Sequence, residues 1–147
     1  RLRTLGFVFQ SYNLIPVLTA LENVEYPLVL QGVQPRERRR AAQEALDWVG
    51  LEAYGDRRPD LLSGGQQQRV AVARSIVHRP ALVLADEPTA NLDSKTGAAL
   101  LDLMQTLNMD RGVTFLFSSH DQAVLLRARR VVHLQDGQLH GEEKHGR

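Results

Sequence analysis

The chain has 147 residues, of which 43% are hydrophobic, so it is long and apolar enough to bury the core of one domain. A formal net charge of +1 argues against a dedicated nucleic-acid binder, which is normally strongly basic. The lack of cysteine excludes disulfides and thiolate metal sites in this chain, and no apolar run approaches the roughly 20 residues that cross a bilayer. We therefore expect any membrane role to depend on a partner protein.

The first half of the chain is predicted to form one strand followed by helices. Residues 5–9 are apolar and predict a short buried strand. Thr19 and Glu22 form a capping-box pattern for a helix that should weaken just before Pro27, because the residue before a proline avoids the α region. A second helix is predicted over residues 35–49, since it begins with proline and is followed by glycine.

The second half alternates helices with short apolar strands, a pattern typical of an α/β domain with a largely parallel sheet. Continuous apolar runs such as residues 82–85 are expected for strands that are covered on both faces. The mostly helical residues 11–77 are predicted to form an inserted subdomain, and residues 1–10 and 78–147 the α/β core. The predicted elements are helix 66–77, strand 82–85, helix 94–107, strand 113–117, helix 121–127 and a hairpin of 131–134 with 138–140 around Asp136-Gly137.

Three ionisable side chains follow two of the predicted strands. Asp86 and Glu87 come directly after strand 82–85, and His120 follows strand 113–117 by three residues. Since ligands gather at the carboxyl ends of parallel strands, one carboxylate could face a metal ion and the other a reacting water. The alternatives are a helix cap or a solvated turn for the carboxylates, and a structural role for the histidine.

A glycine pair opens the helix predicted over residues 66–77. Gly64 and Gly65 would let a ligand approach the backbone closely, and Ser63 adds a hydroxyl donor. Free N–H groups at a helix start favour an anion, which indicates a phosphate contact. The alternative is a plain glycine-rich helix start.

Taken together, these segments resemble the nucleotide-binding domain of ABC transporters, in the family's order and over almost the whole chain. The segments are Leu-Ser-Gly-Gly-Gln at 62–66 (signature motif), Leu-Val-Leu-Ala-Asp-Glu-Pro-Thr at 82–89 (Walker B strand), Asn-Leu-Asp at 91–93 (D-loop), Ser-His-Asp at 119–121 (H-loop) and Gln10 (Q-loop). The resemblance implies a P-loop NTPase fold that binds ATP with Mg²⁺. Residues 9–14, 21–28 and 85–94 are similar to the branch that serves lipoprotein release, macrolide efflux and cell division.

The resemblance also implies catalytic and metal-binding roles. Glu87 would be the general base that polarises the attacking water, and Asp86 would hold Mg²⁺. His120 would contact the γ-phosphate, and Gln10 would sense both Mg²⁺ and the γ-phosphate and link them to a transmembrane permease. Such roles suit phosphoryl transfer, which depends on positioning and charge stabilisation.

The remaining implied roles lie in a dimer with a second nucleotide-binding domain. Ser63, Gly64, Gly65 and Gln66 would contact ATP that is held by the opposite subunit, and Asp93 would act across the same interface. The family setting is a peripheral subunit on the cytoplasmic face of the inner membrane, with no nucleic-acid partner. It implies transport of lipoprotein, peptide or drug-like cargo.

The family's phosphate loop, G-x-x-x-x-G-K-[ST], has no counterpart among the 147 residues. We therefore expect that the chain starts inside the domain, lacks the first strands, and alone binds ATP poorly and exposes apolar surface. Two hypotheses follow: an ATPase subunit in its complete form, or a non-catalytic chain that only docks on a permease. A soluble ABC ATPase of DNA repair or translation fits less well, because the charge is near neutral.

Overall fold

The computed structural model describes residues 5–145 and shows the expected alternation of strands and helices. Two single turns of 3₁₀ helix, Glu52–Tyr54 and Pro59–Leu61, connect the second and third α-helices. In chain order the elements are β1 (Leu5–Val8), α1 (Ala20–Leu30), α2 (Pro35–Trp48), α3 (Gly64–Ile76), β2 (Leu82–Asp86), α4 (Ser94–Arg111), β3 (Phe115–Ser118), α5 (Gln122–Arg127), β4 (Arg130–Gln135) and β5 (Gln138–Lys144).

Strands β1, β2 and β3 form a parallel sheet in that order, so β2 is its central strand. The register pairs Val8 with Ala85 and Asp86 with Ser118, which brings the carboxyl ends of all three strands to one edge. Strands β4 and β5 form a separate antiparallel hairpin. Its turn has positive φ at Asp136 (50°) and Gly137 (76°), the type I′ geometry that the Asp-Gly pair predicts.

Helix α1 begins as predicted but does not weaken before its proline. The Thr19 side chain accepts from the Glu22 N–H, and the Glu22 carboxylate accepts from the Thr19 N–H, which completes the capping box. The expected weakening near Tyr26 is wrong, because the helix continues through Pro27 to Leu30. Proline removes one helical hydrogen bond there, but the buried side chains of α1 hold the helix in the core.

The core is one cluster that joins the helices to a single face of the sheet. Helix α3 lies at its centre, packs against α1, α2 and β1, and is buried along most of its length. Val83 and Ala85 of β2 face this core. On the opposite face, Phe7 is 45% exposed and Leu116 is 58% exposed. The prediction of cover on both faces is therefore wrong for β3, whereas Leu84 of β2 is partly buried. The expected exposure of apolar surface is present within residues 5–145.

Helix α4 is longer than predicted and ends at Arg111, where Gly112 adopts φ of 69° and caps it in the left-handed conformation. Strand β3 is shorter than predicted and begins at Phe115. None of the helices in the described part of the chain is both long and apolar enough to span a membrane.

Candidate active site

The two adjacent carboxylates lie where β2 ends. Asp86 is the last residue of the strand and is exposed, whereas Glu87 is partly buried. The backbone of Glu87 has φ of 44°, a left-handed conformation that costs a non-glycine residue about 1–3 kcal/mol. Its N–H donates to the Ser118 carbonyl at 2.9 Å, so the end of β3 holds this turn in place.

The Glu87 side chain points at the segment after β3 and does not cap a helix. The Glu87 Oε1 atom lies 2.6 Å from Nδ1 of His120, and the Ser119 hydroxyl donates to Oε2 at 2.9 Å. The expected juxtaposition of Glu87 and His120 is therefore present. We call the four residues Asp86, Glu87, Ser119 and His120 the Glu87 cluster.

The pKa of Glu87 lies below its ordinary value. Partial burial of the carboxylate raises its pKa, but the hydrogen bonds from His120 and Ser119, together with the nearby imidazole, outweigh this effect. Glu87 is thus an ionised and oriented carboxylate at neutral pH. The imidazole of His120 is 90% exposed, so a ligand could reach both groups.

Ser63 and Gln66 form a second capping box, at the start of α3. The Ser63 hydroxyl accepts from the Gln66 N–H at 3.3 Å, and the Gln66 side chain accepts from the Ser63 N–H at 2.9 Å. A Cβ added to Gly64 would approach the Tyr12 hydroxyl to 2.8 Å, and one on Gly65 would meet the Thr96 methyl. The glycine pair therefore allows close packing. Its role includes that of a glycine-rich helix start, the alternative to a phosphate contact.

Asp93 caps α4 directly beside these glycines. Its carboxylate accepts from the backbone N–H groups of Lys95 and Thr96 and from the Thr96 hydroxyl. These bonds, led by that of the Thr96 hydroxyl, lower the pKa of Asp93. A shallow depression of about 270 Å³ lies between the starts of α3 and α4, lined in part by Ser63, Gly65 and Thr96. We call the segment Ser63–Gln66 together with Asp93 the signature group.

Gln10 follows β1, and its side chain is exposed near the edge where the carboxylates lie. The Asn91 amide donates to the Gln10 carbonyl at 2.9 Å. Arg74 of α3 donates to the carbonyls of Tyr12 and Asn13 at 2.9 and 2.7 Å. The loop that carries Gln10 is thus held by its backbone, which leaves the Gln10 side chain available to a ligand.

A model of the ABC transporter family matches residues 1–90. The chain belongs to this family. It is 49% identical over 141 residues to the ABC transporter ATP-binding protein YtrE of Bacillus subtilis, covering 96% of this chain and 61% of YtrE. It is also 49% identical over 144 residues to the lipoprotein-releasing system ATP-binding protein LolD 2 of Rhodospirillum rubrum, covering 97% of this chain and 62% of that protein.

The solved structures include a dimer of the ATP-binding cassette MJ0796 in a post-hydrolysis state bound to ADP and Pi. It matches with a TM-score of 0.83 at 46% identity, covering 98% of this chain and 64% of that chain. The fold is therefore that of ABC ATPases, a P-loop NTPase fold. The chain spans about three fifths of the length of the curated relatives that it matches.

In this ABC chain the implied site residues fall into two groups. The Glu87 cluster and Gln10 lie at the carboxyl edge of the sheet, whereas the signature group lies at the starts of α3 and α4. Within residues 5–145 no direct side-chain hydrogen bond joins the signature group to Glu87 or His120. The two groups are therefore not directly hydrogen-bonded to each other within one copy.

The Glu87 cluster is suited to bind a magnesium ion that is shared with a nucleotide. No cluster of three histidine or acidic side chains in the described residues could hold a metal by itself. Mg²⁺ is commonly bound through one or two carboxylates together with substrate phosphates and water, and the exposed Asp86 offers such a ligand.

Sequence reasoning missed the residues that hold the site together. Gln68 is fully buried, and Arg74 and Asn91 bind loop carbonyls. Gln68 lies four residues before Val72 and seven before Ser75, which are both buried on α3. This helical spacing places a polar side chain on the buried face and could have indicated that Gln68 is buried.

Proposed function

We propose that this chain forms part of the ATP-hydrolysing subunit of an ABC transporter. The observation that supports this most is the Glu87 carboxylate, held by Ser119 and His120 directly beside Asp86. In this position Glu87 is ionised and within reach of a water that approaches a γ-phosphate at the sheet edge.

Glu87, His120, Asp86 and Gln10 then have distinct tasks. Glu87 accepts a proton from the attacking water, and His120 contacts the γ-phosphate and stabilises its developing charge. Asp86 and Gln10 would hold Mg²⁺, which neutralises phosphate charge when bound. The left-handed backbone at Glu87 turns its side chain towards His120, so the strained turn orients the base.

The signature group would act on ATP that is bound to a second nucleotide-binding domain. Ser63, Gly64, Gly65 and Gln66 present a helix start, which favours phosphate, and Asp93 flanks it on α4. The lack of a direct hydrogen bond between this group and Glu87 within one copy is consistent with a site that is completed by two copies. The dimeric state of the MJ0796 cassette supports the same arrangement.

We further propose transmembrane permease subunits as partners, at the cytoplasmic face of the inner membrane. Helices α1 and α2 and the Gln10 loop would form the coupling surface. The two helices would belong to an inserted helical subdomain of residues 11–77, and Gln10 to the α/β core of residues 1–10 and 78–147. We propose export or release of lipoprotein, peptide or drug-like cargo, of which the name of the LolD 2 relative supports lipoprotein release. We assign no nucleic-acid partner.

The test uses the complete domain, by which we mean this chain preceded by a segment that carries a phosphate-binding loop. Changing Glu87→Gln should retain ATP binding and reduce turnover roughly 100- to 10,000-fold, the range for a general base. Glu44→Gln on α2, which removes an exposed ion pair with Arg40, is the control and should hydrolyse ATP normally. Normal turnover by the Glu87 variant would refute the assignment.

The second candidate function is a non-catalytic chain that docks on a permease. The lack of a G-x-x-x-x-G-K-[ST] segment in these 147 residues favours it. Titration with a fluorescent ATP analogue and Mg²⁺ compares this chain with the complete domain. Binding by the complete domain alone assigns the chemistry to that form, whereas tight binding by both would show that another element holds the phosphates.

A further inference from the structure

The side chain of Gln68 connects three parts of the candidate site. Gln68 lies on α3, two residues beyond the signature group, and is 0% exposed. Its Nε2 atom donates to the Pro88 carbonyl at 2.7 Å and to the Phe9 carbonyl at 3.3 Å. Pro88 directly follows Glu87, and Phe9 directly precedes Gln10. One buried amide is therefore hydrogen-bonded to the backbone next to Glu87 and to the backbone next to Gln10.

These two bonds require a hydrogen-bond donor at the end of the side chain. Two carbonyl oxygens face the Nε2 end, so a carboxylate or a reversed amide would place a third oxygen against them. The Oε1 atom of Gln68 is buried and has no hydrogen-bond partner in the described part of the chain. The donor end holds the two loop carbonyls, which is the geometry of a residue that places both loops.

We infer that Gln68 is a positioning residue that couples the signature helix to both Gln10 and Glu87. When α3 moves, its amide moves the Phe9 and Pro88 carbonyls together, which keeps the Gln10 loop and the Glu87 turn at a fixed separation. Arg74, farther along α3, holds the carbonyls of Tyr12 and Asn13 and reinforces the same loop. This inference rests on the proposed function only for its catalytic readout.

The test compares two neighbouring glutamines in the complete domain. Gln68→Met has a similar unbranched shape and removes the donor together with the unpaired acceptor. Gln67→Met is the matched control, because among residues 5–145 the Gln67 amide donates only to the Leu62 carbonyl, at 3.2 Å, within its own segment. We expect Gln68→Met to lower kcat for ATP hydrolysis roughly 10- to 100-fold, with KM changed less than about threefold. Gln67→Met should leave both unchanged.

Hydrogen exchange supplies a readout that does not depend on catalysis. In the nucleotide-free protein, Gln68→Met should speed amide exchange in residues 9–13 and 87–92, while exchange in the core of α4 stays unchanged. If Gln68→Met does not fold, Gln68→Asn takes its place, since its shorter amide reaches only one of the two carbonyls, and the same changes are expected.

Unchanged exchange in the two loops, or faster exchange throughout the core together with lower kcat, would overturn the inference. A kcat equal to that of the Gln67 variant would also overturn it. If the wild-type complete domain does not hydrolyse ATP, the proposed function fails, and the exchange data alone then decide whether Gln68 couples the loops.

Discussion

Gly6 of β1 provides a direct test of the packing that places the candidate site. A Cβ added at this position would collide with the backbone carbonyl of Ser75 on α3. Because the obstacle is backbone, Gly6→Ala should push β1 away from α3, and overpacking of this kind typically costs about 1–3 kcal/mol. Alanine restricts the unfolded chain and returns about 0.4–1 kcal/mol. We expect a net loss of about 1–2 kcal/mol.

For a domain of this size, that loss corresponds to a decrease in Tm of roughly 2–8 °C, which is measured by thermal unfolding of the complete domain. Gly141→Ala on β5 is the control, because an added Cβ there meets nothing closer than the His133 ring at 4.0 Å. Its Tm should be unchanged or slightly higher. Equal stability of the Gly6 and Gly141 variants would refute the predicted contact between β1 and α3.

Two further predictions concern the carboxylates of the complete domain. Asp93→Asn retains an N-cap for α4 and should preserve Tm, whereas Asp93→Ala should lower Tm; equal Tm values would contradict the capping role. The pKa of Glu87 is lowered in the folded state, so its ionised form stabilises the fold. This stabilisation is fully present above the ordinary glutamate pKa of 4.5 and is lost as the pH falls below that value. The difference in Tm between the wild type and Glu87→Gln should therefore shrink below pH 4.5, and a constant difference from pH 7 to pH 3 would contradict this.

Local patterns in the sequence were sufficient wherever local chemistry decides the structure. The capping box at Thr19 and the turn at Asp136-Gly137 bring their own hydrogen bonds or backbone preferences. The meeting of Glu87 with His120 was also predictable, because parallel strands end at one edge of a sheet.

Tertiary packing decided what the sequence did not reveal. Helix α1 passes through Pro27 because its neighbours bury it, which overrides the local preference of the proline. The left-handed backbone of Glu87 depends on the Ser118 carbonyl of an adjacent strand. The role of Gln68 depends on two carbonyls that lie far away in the sequence, so no local pattern specifies it.

The geometry of α3 explains how two separated groups of residues could respond to each other. Ser63 and Gln68 are five residues apart, so the helix start and the buried amide differ by only about 7 Å along the axis. Because α3 is a continuous helix from Gly64 to Ile76, the proposed nucleotide contact at its start would move Gln68 with it if it displaced the helix. That displacement reaches the carbonyls beside Gln10 and Glu87 through direct hydrogen bonds. A nucleotide contact at the signature group of one copy would thus change the position of Glu87, the proposed base, in that copy. No direct bond between the signature group and Glu87 is needed for this.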